Sequence, residues 1–202
     1  MTLRRAPLET FIRSVELLRD KVPDFSRYPF NIPSVRNLST LGLHPKVTFL
    51  VGENGSGKST LIEAIAIAAG FNPEGGTSNF KFATHRNESE LHQYLRLARG
   101  VKRPRTGFFL RAESFFNVAT HIEQLDEGGG GPPIIDSYGG KYLHEQSHGE
   151  SFLALVKHRF GARGLYVLDE PEAALSPQRQ LVLLKFINEL VQEKGSQMVI
   201  AT

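Results

Sequence analysis

The stretch KVTFLVGENGSGKST, residues 46–60, says most about how this chain folds. Its first six residues are apolar and β-branched and stop at Gly52, which reads as a buried strand. The remaining nine fit the pattern G-x-x-x-x-G-K-[ST], a glycine-rich loop set between a strand and a helix. That helix, STLIEAIAIAAGF over 59–71, opens on Ser59 and Thr60 and stops at Gly70. Gly55 and Gly57 permit a tight turn in which successive backbone N–H groups point inward, where phosphate oxygens can meet them. Gly52, Glu53, Asn54, Gly55, Ser56, Gly57, Lys58, Ser59 and Thr60 therefore form a candidate nucleotide-binding loop. The following helix adds the positive end of its dipole. Lys58 is placed to reach the β- and γ-phosphates, and the Ser59 hydroxyl to ligate Mg²⁺.

A second buried strand, GLYVLDE (164–170), supplies the acidic half. Asp169, at the strand end beside the loop, is a candidate to hold Mg²⁺ through water. Glu170, one residue further on, is placed to orient and deprotonate an attacking water. The segment 176–195 opens on Ser176 as N-cap and Pro177 in the first turn, and closes on Gly195. Its apolar stripe is expected at Leu181, Leu184, Ile187 and Leu190, extended by Val191. SQMVIAT (196–202) reads as a third strand. Strand–loop–helix followed by strand–helix–strand predicts an α/β fold with a parallel sheet covered by helices. FIRSVELLRD (11–20) fits an amphipathic helix or a strand equally well. Residues 72–163 have mixed character, and GGGGPP (128–133) within them is expected to be a mobile loop in a small, partly helical lobe.

Bulk composition narrows the function classes. A chain of 202 residues suits one substantial domain. The absence of cysteine excludes disulfides and thiolate metal sites. No apolar run reaches the ~18 residues of a membrane span, and MTLRRAPLET lacks the apolar core of a signal peptide, so a cytoplasmic protein is expected. The net charge of +3 is below that of a dedicated nucleic-acid binder. RLARGVKRPR (96–105) nevertheless gathers Arg96, Arg99, Lys102, Arg103 and Arg105, as a solvated loop or helix end, or as a polyanion contact.

Taken together, GENGSGKST and LYVLDEPEAALSP (165–177) resemble the ATP-binding-cassette ATPases. They are most similar to the soluble branch that includes SMC-type, DNA-repair and stand-alone bacterial ATPases. The resemblance spans roughly residues 28–202 in order and spacing. It implies one domain: a P-loop core with a parallel sheet, an N-terminal antiparallel β portion and a small helical lobe. Residues 1–71 would form the β portion with the loop strand and helix, 72–163 the lobe and signature region, and 164–202 the rest of the core. A strand is then favoured for 11–20. ATP and Mg²⁺ are the implied cofactors, and Glu170 and Lys58 the catalytic residues.

The same resemblance assigns EAALSP (172–177) to the D-loop and puts Glu113, in FFLRAESFF, where a metal- or water-binding glutamine usually stands. Tyr28 and Phe30 both precede the loop at the distance of an adenine-stacking aromatic, and a plain core role is open to each. In EQSHGESF (145–152), Ser147 stands 22 residues before Asp169, where the family carries Leu-Ser-Gly-Gly-Gln. Gln146, His148 and Glu150 depart from that pattern, while Ser147 and Gly149 keep it and would contact the γ-phosphate of ATP held by a second subunit. Ser147-x-x-Glu150 also reads as a capping box. The two roles are compatible, because a capped helix start still offers N–H groups to an anion.

A switch histidine would follow the last strand in this family, yet Thr202 is the final residue. The expectation is a C-terminally truncated chain that binds ATP and turns it over weakly, by about 10²–10³-fold on the analogy of a lost oxyanion donor. The expected function is an ATP-hydrolysing, ATP-driven homodimerisation switch, with nucleic acid or an unidentified protein as its further partner. The alternatives are a non-hydrolysing ATP sensor and a detached nucleotide-binding subunit of a transporter.

Overall fold

Gly164–Asp169 is buried at every position, as a continuous apolar run predicts for an inner strand of a parallel sheet covered on both faces. The computed structural model describes residues 10–73, 75–77, 89–112 and 147–202. Glu113, Gln146 and the glycine-rich stretch 128–133 lie outside these residues. The strands are β1 (Ile12–Leu17), β2 (Thr40–Gly42), β3 (Val47–Leu50), β4 (Leu95–Arg99), β5 (Thr106–Arg111), β6 (Gly164–Asp169) and β7 (Gln197–Ala201). The helices are α1 (Pro33–Arg36), α2 (Lys58–Ala69), α3 (His148–Arg159) and α4 (Pro177–Gln192).

The parallel sheet runs β3-β7-β6-β5, and a three-stranded antiparallel sheet runs β2-β1-β4. Period-two alternation divides the core in two. Phe108, Leu110, Tyr166, Leu168, Met198 and Ile200 pack against α3 and α4. Phe109, Leu165, Val167, Val199 and Ala201 pack on the opposite face against α2 and the antiparallel sheet. Fully burying one such side chain contributes about 1.5–3 kcal/mol, so both layers are firmly held. The parallel registers bring Arg111 opposite Asp169, and Asp169 opposite Ala201. The C-terminal ends of β5, β6 and β7 thus lie level at one edge, which is where ligand crevices form in open α/β sheets.

Helix α2 starts directly after Gly57 and ends in a Schellman arrangement: Phe71 N–H donates to Ala66 O at 3.0 Å and Gly70 N–H to Ile67 O at 2.9 Å. Gln197 joins the two sheets. Its Oε1 accepts from the N–H groups of Phe11 and Ile12, each at 3.0 Å, and its Nε2 donates to Ile12 O and His44 O at 2.8 and 3.0 Å.

Several expectations change in detail. Residues 11–20 contain a strand, and a bulge between Ile12 and Ser14 resets its phase, so that Ile12, Val15 and Leu17 are all buried. That three-residue step is what imitates helical periodicity. β3 is not buried as expected: it is an edge strand among the described residues, and Phe49 is 52% exposed. The α4 stripe also differs. Leu181 and Leu184 are 68% and 53% exposed, whereas Leu183, Ile187, Leu190 and Val191 are buried. The buried set follows the i, i+4, i+7, i+8 pattern of a single helix face; a three-residue repeat drifts around the axis. Finally, β4 and β5 fall within the stretch expected as a lobe but belong to the two sheets. Among the described residues no helix is long and apolar enough to cross a membrane.

Candidate functional site

From β3 the chain enters the loop 52–57, where Ser56 N–H donates to Glu53 O at 3.2 Å and turns the backbone. Gly57 has φ +91°, and a Cβ there would lie 2.2 Å from Ile32 Cγ2 and 2.7 Å from Ser34 Oγ. Both left-handed backbone and close approach to the segment around α1 therefore require glycine. Lys58, the first residue of α2, is 8% exposed and donates from Nζ to Gly52 O at 2.6 Å and Glu53 O at 3.1 Å. The ammonium group is thus held under the loop formed by its own chain.

One residue on, the Ser59 hydroxyl donates to Asp169 Oδ1 at 3.1 Å. The helix supplies the hydroxyl and β6 the carboxylate, from positions 110 residues apart in the chain. Asp169 is 4% exposed. One hydroxyl and one carboxylate are hard oxygen donors, the set Mg²⁺ uses when nucleotide phosphates and water complete its shell. The pair therefore fits that cation. Glu113, the third metal candidate, lies outside the described residues.

Glu170 has a left-handed backbone, φ +48° and ψ +50°, a conformation that costs a non-glycine residue about 1–3 kcal/mol. Its N–H donates to Ala201 O at 3.0 Å, which fixes this turn at the end of β6. Glu170 lines an open cleft of about 460 Å³ together with Tyr28, Ile32, Asn54, Gly55, Gly57, Lys58, Ser59 and Thr60. Cation, hydroxyl and carboxylate thus reach one concave space. A carboxylate that lines such a cleft is a group to which a water held there can pass a proton.

The two aromatics separate cleanly. Phe30 is 1% exposed and packs edge-on against Tyr94 at 4.9 Å, so it is a core residue. Tyr28 is 63% exposed and lines the cleft. Base–aromatic stacking contributes about 1–3 kcal/mol, so for a base seated on Tyr28 the expected result is that Tyr28→Ala weakens binding of a fluorescent ATP analogue by about five- to a hundredfold. Tyr28→Phe should retain it. Equal loss in both variants would show that the hydroxyl, not the ring, makes the contact.

Ser147 and Gly149 are not part of the cleft of their own chain. Ser147 caps α3, and its N–H and hydroxyl both donate to Glu150 Oε2, at 3.1 and 2.7 Å. Arg179 Nη2, from α4, donates to Glu150 Oε1 at 2.9 Å. The Ser147 hydroxyl, then its N–H, and then the Arg179 charge hold the Glu150 carboxyl below its usual range. A Cβ on Gly149 would lie 2.8 Å from Arg179 Nη1 and 3.2 Å from Ala174 O. Glycine here lets the start of α3 rest on the turn Pro171–Ala174 that follows Glu170. Arg179 had no sequence signal; it emerges only once α3 and α4 are packed together.

The basic run is partly absorbed by structure. Arg96 pairs with Glu16 at 2.6 Å, and Arg99 donates to the carbonyls of Ala68 and Ala69 at the end of α2. These contacts account for Arg96 and Arg99 without a polyanion.

A family model described as an AAA domain, AAA_23, matches residues 30–136, just over half of the chain. The chain belongs to this family. No curated protein matches the sequence. Among solved structures, this AAA-domain chain is similar to a chain of a metal-chelate type ABC transporter in an inward-facing conformation. The TM-score is 0.50 at 17% identity, covering 96% of this chain and 73% of that one. It is also similar to the SMC head domain from Thermotoga maritima, with TM-score 0.46, 18% identity, and 96% and 89% covered. A third is an ABC transporter ATP-binding protein from Pyrococcus furiosus, with TM-score 0.41, 22% identity and 82% of each chain covered. The AAA-domain chain thus shares its overall fold with the ABC transporter chain, around the P-loop that its first motif spells out.

Proposed function

We propose that this chain binds ATP with Mg²⁺ in the 52–60 cleft and hydrolyses it, with two copies closing on the nucleotide. The observation that carries the reading is the 3.1 Å contact between Ser59 and Asp169 beside a cleft that Lys58 and Glu170 also line. Loop N–H groups and the start of α2 receive the phosphates, and Lys58 neutralises charge on the β- and γ-phosphates. Tyr28 stacks on the base. Ser59 and Asp169 hold the metal, which when bound offsets the charge that develops on the phosphate oxygens. Glu170 takes a proton from the attacking water at its carboxylate.

Ser147 and Gly149 serve the ATP of the other copy in this reading. Their place outside their own cleft, at a capped helix N-terminus, supports that role. Gly149 rests on the turn after Glu170, so a partner's phosphate touching α3 would be felt at the catalytic carboxylate. Nucleic acid forms no part of the proposal, because two of the five basic residues in 96–105 already have structural work.

Mass in solution tests the reading. The 22.5 kDa chain should double in mass with ATP and Mg²⁺, and Lys58→Ala should remain monomeric and bind ATP at least tenfold more weakly, since a charge-assisted contact is worth about 1.5–3 kcal/mol. A wild-type chain that ignores ATP would sink the nucleotide reading. Tight binding at constant mass would leave an ATP-sensing module in place of a dimerisation switch.

A further inference from the structure

Asp169 belongs to a linked row of four side chains that the two motifs do not account for. Ser59 and Glu63 stand four residues apart on α2, one turn, and so share a face. Arg111 and Asp169 are register partners at the ends of β5 and β6. The Ser59 hydroxyl meets Asp169 Oδ1 at 3.1 Å, and Arg111 Nε lies 3.4 Å from Asp169 Oδ2. The row ends at Glu63, whose Oε2 lies 2.5 Å from Arg111 Nη1. The side chains of Arg111, Glu63 and Asp169 are 21%, 12% and 5% exposed, so these charges interact with little screening by solvent. Glu63 thus meets the guanidinium at Nη1 while Asp169 lies at Nε, so the two carboxylates share one cation through different nitrogens.

We propose that Arg111 is a positioning residue that acts as the resident counter-cation of Asp169 and sets the Mg²⁺ requirement of nucleotide binding. The inference rests on the reading of Ser59 and Asp169 as Mg²⁺ ligands. A nearly buried carboxylate needs compensating charge, and Arg111 supplies it at Oδ2 while Ser59 steers Oδ1. A divalent cation arriving at Oδ1 therefore meets a carboxylate whose charge is already partly neutralised, with a positive group close behind it. The device keeps Asp169 aimed at Ser59 in the absence of metal and raises the metal concentration at which the site fills.

A titration of MgCl₂ against binding of a fluorescent ADP reads this directly. Arg111→Gln should lower the Mg²⁺ concentration for half-maximal binding by about tenfold, the scale of one nearby unit charge, while binding in EDTA changes little. Arg111→Lys, which keeps the charge, should stay near wild type. Glu63→Gln should move the other way, because an unshared guanidinium competes harder for Asp169. Mg²⁺ should also raise the melting temperature of Arg111→Gln more than that of wild type. A folded Arg111→Gln with unchanged or higher Mg²⁺ requirement would overturn the proposal; should that variant not fold, a Glu63→Gln requirement equal to or below wild type would overturn it. Wild-type binding that ignores Mg²⁺ would overturn both this and the metal reading, whereas Mg²⁺-dependent wild type with an indifferent Arg111→Gln sinks the counter-cation alone.

Discussion

Glu170→Gln should lower ATP turnover by about 10²–10⁴-fold, the range for removing a general base, while ATP binding is nearly unchanged. Glutamine has the same shape and meets the same left-handed backbone, held by the N–H bond to Ala201 O and by Pro171 behind it. What it lacks is a carboxylate that can accept the proton of the attacking water. The loop, Lys58, Ser59 and Asp169 are untouched, so ATP should stay bound and the doubled-mass species should persist after ATP is supplied. Steady-state phosphate release and mass in solution check the two halves separately. Turnover within about tenfold of wild type would remove Glu170 from its role. A wild-type chain with no turnover at all, and a glutamine variant that behaves identically, would favour the non-hydrolysing sensor.

Features carried by local chemistry were legible in the sequence. A glycine-rich loop between an apolar strand and an alanine-rich helix states its geometry within fifteen residues, and GLYVLD states its burial within six. The cap at Ser147 is equally local. Features that depend on which elements become neighbours were not. The bulge in β1 moves the apolar phase by one residue and disguises a strand as a helix. Leu181 and Leu183 have the same side chain, and a three-residue repeat chose the first where the i, i+4, i+7, i+8 face buries the second. Tyr28 and Phe30 are two residues apart, and the packing of Tyr94 selects Phe30 for the core. Arg111 is the sharpest case. Its meaning depends on a parallel register with Asp169 and on the second turn of α2, neither of which is written near position 111.

The same dependence on distant neighbours makes Gln197 the residue whose loss should most damage the fold. Its amide uses its full hydrogen-bonding capacity, two bonds accepted and two donated, at 1% exposure. Gln197→Leu keeps the volume and leaves four backbone groups without partners. His44 is exposed, so its carbonyl can turn to water, but the groups on Phe11 and Ile12 are buried. Each buried unsatisfied group costs about 1–3 kcal/mol, so three of them should remove on the order of 3–9 kcal/mol, a large share of the 5–15 typical of a domain. The melting temperature should fall by at least about 6 °C at this chain length. The site should feel it too. β7 lies between β3, which leads into the phosphate loop, and β6, which carries Asp169. An unstitched β7 loosens the distance between Lys58 and Asp169, so Mg²⁺-dependent nucleotide affinity should decline together with stability. Denaturation monitored by circular dichroism, alongside ADP titration, measures both. A melting temperature within about 3 °C of wild type, below the shift expected for even 2 kcal/mol, would mean that these four bonds are replaced elsewhere, and that Gln197 is a passenger in the junction between the sheets.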